Sequence, residues 1–184
     1  WESWANFADE GEMPLLKKYH YSVLIPDSII PITNTQMTLQ AFPLHHGNLT
    51  STAFLIRINN SYLVYLGDTG PDELEKSQDL HELWQALAPL IKNRQLKGIF
   101  IETSFPDEQP DKSLYGHLTP RWLMNEMGDL ASLAGENLLK NVAIVITHNK
   151  PPQRNIDKIK KQLIAENKLD LRLIFPEQGR AFDL

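Results

Sequence analysis

Four apolar stretches of this 184-residue sequence each lead into a side chain that can bind a metal ion or carry a proton. AFPLHHG, YLVYLGD, IFIET and VAIVITH contain His45 and His46, Asp68, Glu102 and His148, respectively. Short apolar runs are typical of buried strands, and strand ends in an α/β fold meet at one edge of the sheet. The sequence has no cysteine, so a metal ion would be held by histidine and carboxylate groups. We therefore predict one site at this edge, although each residue alone is also typical of a turn or a surface hydrogen bond.

The segments around these residues predict a fold that is rich in strands first and alternates strands and helices later. MTLQAFPL, TAFLIRI and SYLVYL are predicted as strands, and the last two are joined at NNS, where asparagine tolerates a hairpin's positive φ. Asp72 can cap the start of a helix in which leucine, tryptophan and isoleucine recur at helical spacing.

In the second half, KGIFIE, NVAIVIT, LDLRLIF and a short closing GRAFDL are predicted as strands. A helix is expected to begin with Thr119 as its cap and Pro120 in its first turn, and NIDKIKKQLIAEN reads as an amphipathic helix. Residues 1–36 are predicted to be an irregular lead-in with one short strand, YSVLIP. Together these patterns predict one domain over residues 1–184 with a mixed α/β fold, in which helices pack outside the sheet.

Composition and charge exclude several classes of function. A hydrophobic fraction of 42% is typical of a globular domain, and the apolar runs are too short for a membrane span. The net charge of −5 argues against binding to nucleic acid. The printed residues show no signal segment, which leaves both the cytoplasm and the periplasm open as compartments. A homo-oligomer is also left open.

Five segments carry a resemblance to a known family: HHGNLTSTAFLI, YLGDTGPD, LKGIFIETSFPDEQPDKSLYGHLTP, VITHNKP and FPEQGRAFDL. From about residue 40 to the carboxyl terminus the sequence resembles the class II cyclic-nucleotide phosphodiesterases, a branch of the metallo-β-lactamase superfamily. The resemblance implies a sandwich of mixed sheets flanked by helices, with two zinc ions bound at one edge. It also implies a cyclic nucleotide, cyclic AMP or cyclic GMP, as the substrate and a 5′-monophosphate as the product.

Carried over to this sequence, the resemblance assigns His46, Asp68 and His148 as metal ligands. Asp68 would bridge both ions, because a carboxylate offers two oxygen atoms and an imidazole does not. His148 would be the last ligand of the second metal. The neighbouring His45 is expected to be a supporting or exposed histidine.

Glu102 and His117 resemble a carboxylate and histidine pair of the superfamily's transfer-RNA processing nucleases. By this analogy, His117 would give a proton to the leaving ribose 3′ oxygen, and Glu102 would orient it and keep it protonated. The alternative is that His117 caps the helix that follows it. His20 and His81 are assigned no chemistry.

The superfamily's leading motif, His-x-His-x-Asp-His, does not occur in the printed residues, and His20 in KKYHYSVL does not resemble it. The expectation is therefore that this chain is the carboxy-terminal portion of a longer enzyme and is inactive without the amino-terminal half. Two other hypotheses stay open. The chain could be a nonenzymatic remnant that binds a nucleotide or a partner, or a β-lactam, thioester or RNA hydrolase of the same superfamily.

Overall fold

The computed structural model describes residues 24–26 and 28–184. In this part of the chain, seven strands form one sheet in which strand order follows chain order. The strands are β1 (Ile29–Pro31), β2 (Met37–His46), β3 (Leu49–Ile58), β4 (Ser61–Leu66), β5 (Leu96–Glu102), β6 (Ala143–Thr147) and β7 (Arg172–Ile174). Pairing is antiparallel from β1 to β4 and parallel from β4 to β7. The predicted mixed α/β class is confirmed.

The apolar runs predicted the strands closest to the site, with small shifts at their ends. The hairpin between β3 and β4 is present, and Asn59 has the expected positive φ of 53°. Strand β2 continues two residues beyond the predicted segment and includes His45 and His46. His20 and the first half of the predicted strand YSVLIP lie outside the described residues, and the second half, residues 24–26, does not form a strand. Within the predicted irregular lead-in, Ile29–Pro31 forms β1 and pairs with β2.

Five helices and one 3₁₀ turn complete the described fold. The helices are α1 (Asp72–Glu75), α2 (Asp79–Lys92), α3 (Pro120–Ala134), α4 (Glu136–Leu139) and α5 (Gln153–Glu166), and the turn is Asp111–Ser113. Helix α2 packs on β2 and β5, and α3 contacts both α2 and α5. Their buried faces form the core with the inner side chains of the sheet, including Trp84, Leu83 and Ile101. None of the described helices combines the length and the apolar character that crossing a membrane requires.

Two helix starts are stabilised by aspartates from elsewhere in the chain. The carboxylate of Asp72 accepts hydrogen bonds from the backbone N–H groups of Leu80 (3.2 Å) and His81 (2.9 Å), so Asp72 caps α2 from outside the helix. Thr119 occupies the position before Pro120 at the start of α3, but its buried hydroxyl has no hydrogen-bond partner among the described residues. Thr119 is therefore the N-cap residue, as predicted, but its side chain makes no capping hydrogen bond.

The cap of α3 comes instead from the loop after β5. Asp107 Oδ1 accepts a hydrogen bond of 2.9 Å from the backbone N–H of Arg121, in the first turn of the helix. A carboxylate at a helix start satisfies a free N–H group and interacts favourably with the helix dipole. The loop that carries Asp107 is thus fixed to α3.

The predicted closing strand GRAFDL does not form. The last residues instead cross the sheet on the face opposite to the helices. The rings of Phe182 and Phe100 are 6.4 Å apart, and a Cβ added to Gly98 would stand 3.3 Å from Leu184 Cδ1. The apolar side chains of this segment therefore pack on the face of the sheet, and its backbone does not add a strand to the sheet edge.

A buried carboxyl group links α1, α2 and α3. Glu126 is 6% exposed and accepts hydrogen bonds from Trp84 Nε1 (2.9 Å) and from the backbone N–H of Asp72 (3.2 Å). Burial raises the pKa of Glu126 from its ordinary value of 4.5 to about 7, and the two hydrogen bonds oppose this rise. The folded protein therefore binds the Glu126 proton more tightly than the unfolded chain does.

The free energy of unfolding of the wild type is expected to fall as pH rises. We expect this fall to be absent in Glu126→Gln. Because the folded pKa is the higher one, the wild-type free energy of unfolding falls between pH 4.5 and about pH 7 and then levels off. The fall attributable to this group is up to about 3 kcal/mol, and glutamine keeps an acceptor for Trp84. Urea denaturation at pH 5 and pH 8 measures the difference, with the exposed Glu82→Gln as the control. An unchanged pH dependence in Glu126→Gln would contradict the assignment.

Candidate functional site

The predicted site residues converge because of strand direction. Strands β2 and β4 are both antiparallel to β3, so they run in the same direction as each other and as β5 and β6. His46, Asp68, Glu102 and His148 follow or end these four strands and therefore lie at one edge of the sheet. His117 reaches the same edge from the loop before α3, with its ring 4.5 Å from that of His46 and 5.4 Å from that of His148.

Asp68 lies between two histidines. Its Oδ1 is 2.6 Å from His148 Nδ1, and its Oδ2 is 3.9 Å from His46 Nε2. The turn that carries Asp68 is held close to β3, because the N–H of Gly67 donates to the carbonyl oxygen of Thr52 at 3.0 Å. The two carboxylate oxygens thus face two different imidazole nitrogens.

His46 is oriented by the loop that contains His117. A carbonyl oxygen only accepts hydrogen bonds, so the 2.8 Å contact between His46 Nδ1 and Gly116 O places a proton on Nδ1. The lone pair is then on Nε2, the atom that faces Asp68. Gly116 has a φ of 80°, and an added Cβ would collide with the backbone of His46 and Gly47. Glycine is required here, because the two loops touch through their backbones.

Glu102 is fully buried and accepts four hydrogen bonds. Oε1 accepts from the N–H of Thr69 (2.9 Å) and from His117 Nδ1 (2.6 Å), and Oε2 accepts from Ser104 Oγ (2.5 Å) and the N–H of Leu118 (3.3 Å). A carboxylate has about four lone-pair sites, so all of them are in use. In this arrangement Glu102 therefore has no lone pair free for a metal ion.

His117 makes a contact at each ring nitrogen. Nδ1 donates to Glu102, and Nε2 lies 2.6 Å from Lys150 Nζ. An ammonium group only donates, so His117 Nε2 accepts in this arrangement. The alternative in which His117 caps α3 is not observed. The predicted role of His117 as a proton donor requires a proton on Nε2, and therefore that Lys150 no longer donates to this atom.

Two residues of the site were not assigned a role from the sequence, namely Ser104 and Lys150. Ser104 follows Glu102 by two positions, and its hydroxyl donates to that carboxylate. Lys150 follows His148 by two positions and reaches His117 across the site. In the sequence, Ser104 and Lys150 are each a polar residue two positions after a strand-end residue. This spacing alone does not show which group either side chain contacts.

The other two histidines of the described residues make their side-chain contacts outside this cluster. His45 is half exposed, and its Nδ1 lies 2.6 Å from Asp79 Oδ2 at the start of α2. His81 contacts Gln85 one turn further along the same helix at 2.9 Å.

The donor atoms fit a divalent metal ion. Ligand atoms of Asp68, Glu102, His117 and His148 all lie within 4.8 Å of one another, and Glu102 is already saturated by hydrogen bonds. The atoms that remain open towards Asp68 are His46 Nε2 and His148 Nδ1. One carboxylate with two imidazoles is a donor set suited to zinc and similar ions.

Comparisons with known proteins place this chain in a family. The family model of the class-II cAMP phosphodiesterases matches residues 2–179. A 3′,5′-cyclic-nucleotide phosphodiesterase of Aliivibrio fischeri is 44% identical over 184 residues, which cover 97% of this chain and 56% of the relative. The chain spans about half the length of the first curated relatives it matches.

Two solved structures show the same fold. The crystal structure of unliganded yeast PDE1 aligns with a TM-score of 0.74 and 28% identity, and covers 85% of this chain and 48% of that one. The metallo-β-lactamase fold protein YhfI from Bacillus subtilis aligns with a TM-score of 0.54 and 19% identity, over 83% of this chain and 52% of that one. The predicted metallo-β-lactamase-like fold is confirmed.

Proposed function

Because the chain belongs to the class-II cAMP phosphodiesterase family, we propose that it supplies part of an active site that hydrolyses 3′,5′-cyclic nucleotides with two divalent metal ions. The observation that carries the proposal is the position of Asp68. Its two oxygens face different histidines, as a carboxylate shared by two metal ions requires. Cyclic AMP and cyclic GMP are the proposed substrates, and the 5′-monophosphates are the products.

His46, Asp68 and His148 would hold the metal, and zinc is the ion that their donor atoms suit best. Bound divalent metal supplies a more acidic water molecule and offsets the negative charge of the phosphate. A catalytic zinc ion usually takes three protein ligands, so three groups shared by two ions are too few. The proposed site therefore needs further ligands from outside the described residues.

The residues around His117 organise the departure of the leaving group. Glu102 holds Nδ1 of the ring, while Nε2 lies 2.6 Å from Lys150 Nζ, and the ring centre is 5.4 Å from that of His148. From this position His117 would protonate the ribose 3′ oxygen as the bond to phosphorus breaks. Positioned proton donors contribute a factor of about 10² to 10⁴ to the rate.

The test is hydrolysis by the full gene product with zinc added. We expect cyclic AMP and cyclic GMP to give only 5′-monophosphates, since the 3′ oxygen is the leaving group, and we expect a chelator to stop the reaction. Separation of the nucleotides by liquid chromatography identifies the isomer. A 3′-monophosphate product, or turnover that resists chelation, would overturn the proposal.

A second arm uses residues 1–184 alone. We propose that this chain binds metal weakly and does not hydrolyse cyclic nucleotides, because it has three candidate ligands for two ions. We also propose that it tends to associate through its sheet, where apolar side chains such as Tyr65 are exposed. Metal-dependent turnover by the purified 184 residues would show that the ligand count is wrong. Adding the remaining part of the gene product is expected to restore metal binding and activity together.

A further inference from the structure

The loop after β6 is fixed to the loop after β5. Asn149 Nδ2 donates to the carbonyl oxygen of Thr103 (2.7 Å), and the N–H of Lys150 donates to that of Ser104 (3.2 Å). These two hydrogen bonds join consecutive residues of one loop to neighbouring residues of the other. The backbone of Lys150 is therefore held at the site edge.

The side chain of Lys150 points into the site. Its Nζ lies 4.9 Å from the centre of the Phe105 ring and 2.6 Å from His117 Nε2. Within residues 24–26 and 28–184, Lys150 forms no ion pair with a carboxylate, whereas Lys140 and Lys158 each do. Lys150 is thus a partly buried cation whose partners are a neutral ring nitrogen and an aromatic face.

This environment suits an anion that arrives with the substrate. An ammonium group has three donors, and His117 uses one of them. Hydrogen bonds between two charged groups are about twice as strong as those between neutral groups. A phosphodiester oxygen within reach would therefore compete favourably with the imidazole for the Lys150 ammonium.

We propose that Lys150 is a substrate-binding residue whose ammonium group leaves His117 Nε2 and donates to a nonbridging oxygen of the scissile phosphate. The identity of the anion as a phosphodiester rests on the proposed function. The exchange has a second consequence, because it removes the donor at Nε2. This atom can then take up from solvent the proton that His117 gives to the leaving ribose oxygen.

The test compares Lys150→Met, Lys150→Arg and, as a matched control, the exposed Lys158→Met in the full gene product loaded with zinc. We expect Lys150→Met to keep its metal while the KM for cyclic AMP and the inhibition constant of inorganic phosphate both rise roughly tenfold or more. Lys150→Arg keeps the positive charge and is expected to recover most of the phosphate affinity. Lys158→Met should match the wild type.

Two results would overturn the proposal. One is a Lys150→Met protein in which kcat falls while the KM and the phosphate affinity stay unchanged, since the lysine would then act only by positioning His117. The other is loss of metal from Lys150→Met. Calorimetric titration of inorganic phosphate into the zinc-loaded protein needs no turnover. It therefore tests Lys150 even if the wild type fails to hydrolyse cyclic nucleotides, a failure that would count against the proposed function instead.

Discussion

Asp68→Ala is expected to abolish both metal binding and the hydrolysis of cyclic nucleotides. Asp68 is the group whose two oxygens face His46 and His148, so its removal leaves the two imidazoles without a shared carboxylate. A two-metal site stabilises both the attacking and the leaving oxygen of the reaction, and a site that loses its bridge loses both effects. Activity should fall to the background of the assay, and metal content should fall with it.

Metal analysis by mass spectrometry and the hydrolysis assay are needed on the same samples. Asp170→Ala is the matched control, because the Asp170 side chain is 84% exposed and its ion pair among the described residues is with Lys140. Asp68→Asn adds a graded test, since an amide retains one oxygen but no charge. Should Asp68→Ala keep a full complement of metal, Asp68 is not the bridge, and the metal site must be assigned to other residues.

His117→Ala is expected to keep its metal and to lower kcat by a factor of about 10² to 10⁴. The side chain acts on the leaving oxygen in the proposal and is not assigned as a ligand, and its Nδ1 is already bonded to Glu102. A substrate with a p-nitrophenolate leaving group needs little protonation. Its hydrolysis should therefore be much less impaired.

His45→Ala is the control for this second experiment, since His45 is exposed and contacts Asp79 rather than the site. The comparison of the two substrates distinguishes a proton donor from a ligand. If His117→Ala lost its metal, or if both substrates slowed equally, His117 would be reassigned as a ligand.

Much of the site's location could be predicted from the sequence because strand direction is a local consequence of short connections. The hairpin between β3 and β4 and the helical crossover to β5 fix the direction of each strand, and these directions bring Asp68 and Glu102 to the same edge. Apolar runs gave the strands, since burial requires them. The family resemblance then gave roles to His46 and His148 that residue types alone leave open.

The features that the sequence could not predict depend on contacts between distant segments. Asp107 caps α3 from a loop fourteen positions before Arg121, and Lys150 meets His117 across thirty-three positions. The predicted strand at residues 179–184 failed for a related reason. An apolar segment can either pair with the edge strand of a sheet or pack its side chains on the face of the sheet. Which of the two occurs depends on the surface that the folded sheet leaves exposed.

The order of the strands also bears on how the protein is made. Each strand from β2 to β7 pairs with the strand that precedes it in the chain, so no late segment has to insert between two strands that have already paired. Such a sheet can grow from one edge during translation, with each new strand finding its partner already formed at the ribosome exit. His46 and Asp68 are then in place before His148 emerges with the end of β6. In the proposed function, the three candidate metal ligands are therefore all present only after β6 has been made.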